Sequence, residues 1–363
     1  MRALLASLLL GCSPELTLSA SADSGEWPDR PSDDDAILSV MSRREVAALS
    51  ACVLERGETV WCQGYGWADI AEGIPATPST LYDLASVSKL LTTAGVLSAA
   101  AAGTVDLDAP LSLGFPVSWP DGAPTLRHLL THTSGLGGDD IALMLSHSSA
   151  GRTPSLPRYI EPALSDAGIF SGRAPGERWS YSNTGMSAAA LAVEHAAGVD
   201  FSAHLEATVL APLGLSVTPT PQGAVALRYP DTRSWAPAPV ERSDLYPSGW
   251  LYGDAVSLAR FLAALWSGAV DFDPSVMLEP GTDADNFGLL PIRAQGLGAG
   301  QYRPLGGRSM WGHMGNDRGA HTLVLLDPAT GDGIVILATG IGESGVMGWL
   351  TLKKVAEILL PPP

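Results

Sequence analysis

Ser86-Val87-Ser88-Lys89 opens an Ala- and Leu-rich stretch that runs from Ser86 to Ala102 and stops at Gly103. The composition predicts a helix with glycine at its C-terminal end. On a helix, positions i and i+3 share a face, so the Lys89 amine can approach the Ser86 hydroxyl. A serine hydroxyl is a weak nucleophile until a neighbouring base takes its proton. A lysine whose pKa is lowered by desolvation can be that base. The helix N-terminus adds a field that favours a developing oxyanion. Ser88 points off the shared face and is expected to be structural.

Two later segments carry compatible chemistry. Tyr181-Ser182-Asn183 follows Pro175-Gly176-Glu177-Arg178-Trp179-Ser180, and in extended backbone an i, i+2 pair lies on one side. That would present a phenol able to relay protons beside an amide able to hold a substrate. Trp311-Gly312-His313-Met314-Gly315-Asn316 leads into a strand at Ala320, and its glycines suggest an edge along which a substrate backbone could lie. His128 and His132 have a metal-ligand spacing, but no Glu follows His128 and no third ligand is near. A structural role is expected for both, with no metal and no cofactor.

At these three motifs the chain resembles the serine β-lactamase and penicillin-binding-protein superfamily, in the branch of class C β-lactamases, D-alanyl-D-alanine carboxypeptidases and family VIII esterases. Leu81-Tyr82-Asp83-Leu84-Ala85-Ser86, Thr125 to Leu136 with its His132-Thr133-Ser134-Gly135, Ala211-Pro212-Leu213-Gly214-Leu215 and Ser248-Gly249-Trp250-Leu251 extend the likeness over roughly residues 40 to 360. The resemblance implies that Ser86 is acylated while Lys89 and Tyr181 share general-base and general-acid duty. It further implies that Asn183 orients the substrate, with His313 and Gly315 beside it, and that the backbone N–H groups of Ser86 and Asn316 form the oxyanion hole. His313 stands where many β-lactamases carry Lys. An imidazole with a reference pKa near 6.5 would hold a substrate carboxylate less well as pH rises through about 6–7, unless Arg318 supplies the charge. The expected activity is hydrolysis of a D-amino-acid peptide, a β-lactam or a small carboxylic ester. The alternative is a catalytically silent sensor or scaffold that binds peptidoglycan fragments.

The elements that must position these groups fall in a simple order. Ser50 to Cys62 reads as a hairpin around Gly57, and the C-terminal third reverts to strands at Ala320 to Leu326 and Ile334 to Ala338, with a last helix from about Gly348 to Leu360. Between them, helical segments at Ser187 to Ala197, Phe201 to Val209 and Ala255 to Ser267 alternate with Pro/Gly loops. The pattern predicts an α/β (α+β) fold: an antiparallel sheet formed from both chain termini and flanked by helices, with a mainly helical lobe inserted at about 104–290. Such an architecture is β-lactamase/transpeptidase-like.

Composition sets the remaining limits. The chain has 363 residues, 46% of them hydrophobic, and a net charge of −17, which repels phosphate backbones and disfavours a nucleic-acid partner. Met1-Arg2 and the apolar run Ala3 to Leu10 have the plan of a secretory signal (residues 1–11), too short to span a bilayer. Leu9-Leu10-Gly11-Cys12 resembles the lipobox of bacterial lipoproteins, so a lipid on Cys12 is expected, with membrane contact through that anchor alone. The Ser-, Pro- and Asp-rich residues 12–35 are expected to form a disordered tether to a hydrolase domain at 36–363. The protein would then be exported and face the periplasm or cell exterior. If the hairpin turns on Gly57, Cys52 falls opposite Cys62, where an oxidising compartment permits a disulfide. A one-residue change of register would leave two buried thiols, and both remain open, as does the oligomeric state.

Overall fold

The computed structural model describes residues 18–19, 27–28, 30–137, 139, 141–278, 280–283, 291–303, 305, 307–341 and 345–360. The expected signal, Cys12 and most of the tether lie outside them. A nine-stranded antiparallel sheet runs through the molecule: β1 (Val46–Glu55), β2 (Glu58–Asp69), β3 (Ile74–Pro75), β4 (Thr282–Asp283), β5 (Ile292–Gln295), β6 (Gly300–Tyr302), β7 (Trp311–Asp317), β8 (Ala320–Leu326) and β9 (Gly333–Gly340). Their spatial order is β3-β2-β1-β9-β8-β7-β6-β5-β4, so the N- and C-terminal strands pair at β1 and β9 as expected. The inserted lobe ends sooner than 290, because the sheet resumes at Thr282.

Alternation along the central strands gives the sheet two apolar faces. Leu49, Ala51 and Val53 of β1, with Leu323, Leu325, Ile334 and Ile336, pack against α1 (Pro31–Arg44) and a C-terminal helix, Gly345–Leu359. Cys52 and Leu54, with Val324, Val335 and Leu337, face the helical lobe, notably α2 (Ser88–Ala101), α3 (Asn183–Ala197) and α4 (Ala255–Ser267). The C-terminal helix is numbered α5.

The acidic run at Pro31-Ser32-Asp33-Asp34-Asp35 corrects the tether boundary. These residues are the first turn of α1 rather than a linker. Proline is pre-organised for a helix start, and carboxylates complement the positive end of the helix dipole. Asp34 is also anchored, accepting a hydrogen bond from the Tyr65 hydroxyl at 2.6 Å.

The hairpin reaches the expected pairing by an unexpected route. Its turn is the two residues Arg56 and Gly57, both at positive φ (52° and 78°), a geometry that matches the twist of tight hairpins. That turn alone would pair residues one position out of step with Cys52 and Cys62. An irregularity between Val53 and Leu54 restores the register, Cys52 pairs with Cys62, and the two form a disulfide.

Candidate active site

Ser86 lies in a single 3-10 turn, Ala85–Val87, that feeds directly into α2. Ala85 before it is held at φ 45°, a left-handed conformation that costs a non-glycine residue roughly 1–3 kcal/mol. Two contacts enforce it. The Ala85 N–H donates to Asp83 Oδ1 at 2.9 Å, and the Leu84 carbonyl accepts from Thr322 Oγ1 of β8 at 2.8 Å. Gly315 of β7 completes the seat, since a Cβ there would stand 2.6 Å from the Leu84 oxygen and 3.0 Å from the Ala85 Cβ. Gly315 thus allows the close packing of strand against nucleophile turn, and it is not among the residues lining the cavity onto which Ser86 opens.

Lys89 is fully buried, its ammonium placed among three acceptors: Ser86 Oγ at 3.1 Å, Asn183 Oδ1 at 2.8 Å and the Ser248 backbone carbonyl. Burial lowers its pKa to about 7, with Asp139 opposing the shift. A neutral amine has two protons and one lone pair. The oxygens of Asn183 and Ser248 take the protons, which leaves the lone pair for Ser86. Ser88, one residue before Lys89, accepts from the Leu251 N–H at 3.1 Å and so fixes the Ser248 loop against α2.

Tyr181 donates its hydroxyl proton to Ser86 Oγ at 2.9 Å, and Lys89 Nζ stands 4.8 Å from the centre of its ring. Burial pushes the phenol well above its usual pKa, so it stays protonated. The segment carrying it is tied down by Asp139, a residue the motifs did not flag. The Asp139 carboxylate accepts from the N–H groups of Asn183 (2.6 Å) and Thr184 (3.1 Å) and from the hydroxyls of Ser182 and Thr184, at the start of α3. His132 packs its ring against Tyr181, and His128 caps the short helix Leu126–Leu130, its Nδ1 facing the Thr125 N–H.

Ser86 and Tyr181, with Lys89 buried behind them, open onto a cavity of about 360 Å³ whose other lining residues are Trp179, Pro291, Ile292, Gln295, Gly300, Tyr302, His313, Met314 and Asn316. The cavity follows the free edge of β7. Among the described residues β6 pairs with it only at Trp311 and Gly312, so that edge of β7 has no strand partner from His313 onward. Tyr302 takes up one of those groups by accepting the Met314 N–H at 2.7 Å.

Three expected substrate contacts are placed elsewhere or altered. Asn183 is outside the cavity lining, its oxygen committed to Lys89. Arg318 turns away to Glu241 and to Asp317, at 3.6 Å, which neutralise it. His313 does line the cavity, but its Nδ1 faces the Met314 carbonyl, and burial together with Lys89 lowers its pKa to about 3. That shift favours the neutral imidazole at pH 6–7, where a cation able to hold a carboxylate was expected. Trp250 is a core residue.

A family model described as Beta-lactamase matches residues 34–356. Among curated proteins, Esterase EstB of Burkholderia gladioli is 34% identical over 257 residues, 66% of this chain and 60% of that protein. Penicillin-binding protein 4* of Bacillus subtilis is 30% identical over 167 residues, 45% of this chain and 36% of that protein. The matches thus span between about a third and three fifths of those relatives' own length. Among solved structures, a D-amino acid amidase from Ochrobactrum anthropi SV3 superposes with a TM-score of 0.71 at 26% identity, covering 89% of this chain and 97% of that one.

Proposed function

Because the chain belongs to the β-lactamase family, we propose that it is a serine hydrolase acting on neutral carboxylic esters or small amides. One observation carries the reading. Ser86 Oγ is within hydrogen-bond reach of both Lys89 and Tyr181, at the base of a cavity walled by Trp179, Ile292, Tyr302 and Met314 and containing no lysine or arginine among its described lining residues. A β-lactam or a peptide ending in D-alanine brings a carboxylate that such a wall would desolvate without compensation. A neutral apolar acyl group fits it, and the likeness to an esterase supports the same choice.

In the proposed reaction neutral Lys89 takes the Ser86 proton as Oγ bonds to the carbonyl carbon. The Ser86 and Asn316 N–H groups face the resulting oxyanion. The bond to the leaving alcohol or amine then breaks, and Tyr181 passes the proton to it. Water repeats the sequence on the acyl-enzyme, releasing the acid and restoring Ser86. A silent scaffold has no use for this proton path.

The test is a substrate profile with p-nitrophenyl esters of neutral acids, a fluorescent β-lactam and a fluorophosphonate. Turnover of the esters and fluorophosphonate mass on the Ser86 peptide are expected, with weak reaction of the β-lactam. Faster β-lactam turnover, or labelling that survives Ser86→Ala, overturns the assignment.

We further propose that the protein is exported and held by a lipid on Cys12, on the strength of the Ala3 to Leu10 run and the Leu9-Leu10-Gly11-Cys12 ending. No helix among the described residues is long and apolar enough to cross a membrane. Incorporation of a palmitate analogue should disappear in Cys12→Ser. Wild-type protein released with an unmodified N-terminus beyond Cys12 would overturn the anchor.

A further inference from the structure

Arg228 belongs to no motif, yet its side chain is only 3% exposed and a buried guanidinium requires partners. It sits in a loop pinned beside the nucleophile segment, where the Ala226 N–H donates to the Leu81 carbonyl at 2.8 Å. Its Nη1 meets Asp317 Oδ2 at 2.6 Å and Asp83 Oδ2 at 3.3 Å, while Nη2 meets Glu241 Oε2 and the Pro239 carbonyl, each at 3.0 Å. Arg318 contributes a second cation through Glu241 and Asp317. Two guanidinium groups thus face three carboxylates.

The two carboxylates on Nη1 come from the two segments that matter for the reacting carbonyl. Asp83 holds the Ala85 N–H, and with it the left-handed turn that presents the Ser86 N–H. Asp317 is the neighbour of Asn316 on β7. Nη1 donates a hydrogen bond to Asp317 and makes an ion-pair contact with Asp83, while Nη2, held by Glu241 and the Pro239 carbonyl, fixes the orientation of the planar group. A single ammonium does not reproduce this arrangement of four partners. We propose that Arg228 is a positioning residue for hydrolysis: by clamping Asp83 to Asp317 it fixes the distance between the backbone N–H groups of Ser86 and Asn316. The proposal rests on the serine-hydrolase reading above, in which those two groups receive the oxyanion.

An oxyanion hole acts on the transition state and little on the bound substrate, so a loosened clamp lowers kcat and leaves KM nearly unchanged. The experiment compares wild type, Arg228→Lys and Asp83→Asn with a neutral p-nitrophenyl ester, expressing kcat per site titrated by a fluorophosphonate, alongside Ser86→Ala measured per mole of protein. Asp83→Asn is nearly isosteric and keeps an oxygen for the Ala85 N–H while ending the ion pair. We expect losses of about 10-fold to 100-fold in kcat for Arg228→Lys and Asp83→Asn, with KM within about threefold, since loss of a whole oxyanion donor costs on the order of 10²–10³. Should Arg228→Lys not fold, Asp317→Asn, which removes one arm only, carries the same expectation. A merely structural arginine would lower Tm and the titrated fraction but leave kcat per titrated site at the wild-type value, and that result overturns the clamp. Turnover remaining in Ser86→Ala would instead overturn the serine-hydrolase reading itself.

Discussion

His132 grips the backbone on both sides of Tyr181. Its carbonyl accepts the Ser180 N–H at 2.7 Å, its Nδ1 accepts the Ser182 N–H at 3.3 Å, and its ring lies 4.5 Å from the phenol ring between them. An acceptor Nδ1 places the proton of the neutral imidazole on Nε2. Burial and the nearby Lys89 hold the His132 pKa well below its usual value, which favours this neutral form. His132→Ala should release Tyr181 from Ser86 and cost about 10²-fold in kcat, the scale expected of a misplacement near 1 Å. Steady-state kinetics on protein verified as folded by circular dichroism checks it; turnover within threefold of wild type would leave His132 without a positioning role.

The motif residues were legible because their geometry is local. Ser86 and Lys89 meet at i, i+3, and that spacing survives even though Ser86 stands in a 3-10 turn before the helix proper. What was not legible is what crosses the chain. Ala85 adopts a conformation its own side chain disfavours, and Asp83, Thr322 of β8 and the close approach of Gly315 on β7 hold it there. The acceptors that prepare Lys89 come from Ser248 and Asn183, and Asp139 and Arg228 act across 44 and 89 residues on Asn183 and Asp317. No periodicity marks such partners. Arg318 misled for the same reason, since its sequence position beside the site says nothing of the Glu241 that neutralises it.

Activity should rise with pH through about 7. Lys89 has its pKa lowered to about 7, and only its neutral form, dominant above that value, can accept the Ser86 proton. Asp83 is raised to about 7 by burial and by the neighbouring Asp317 and Glu241, against Arg228, and its ionised form is the one that pairs with Arg228. Both groups therefore predict the same direction. The kcat/KM profile of Asp83→Asn separates them, because an ascending limb near 7 that persists in that variant belongs to Lys89. A flat profile between pH 6 and 8 in wild type would remove Lys89 as the base.

The disulfide closes a short loop, with a sequence separation of 10 between Cys52 and Cys62, and both side chains are buried. Constraining the unfolded chain over such a loop is worth about 2–3 kcal/mol in the chain-entropy model. In a Cys12→Ser background, denaturation without reductant should expose no reactive thiol. Replacing both cysteines by alanine should lower the denaturation midpoint by a corresponding amount while kcat stays within about twofold, since neither residue lines the cavity. Two titratable thiols in protein taken from an oxidising compartment would contradict the bond.

The cavity's charge can be rewritten at one position. His313 is buried, neutral down to about pH 3, and lines the wall beside Tyr181, their ring centres 6.3 Å apart. For wild type, KM of a carboxylate-bearing ester should exceed that of a matched neutral ester and should not vary with pH through 6–7. Arg318→Ala should leave both values unchanged, because its charge is already spent on Glu241 and Asp317. His313→Lys introduces a cation on the free edge of β7. In a partly desolvated site an added ion pair is worth on the order of 1–2 kcal/mol, so KM for the anionic ester should fall about tenfold while the neutral ester shows no gain. The added cation also opposes the charged form of Lys89, so the ascending limb of its pH profile should move to lower pH. Measuring KM for both esters in the three proteins decides the matter: a rise in KM for the anionic ester on losing Arg318 would mean that Arg318 reaches the substrate after all, and the preference for neutral substrates would have to be abandoned.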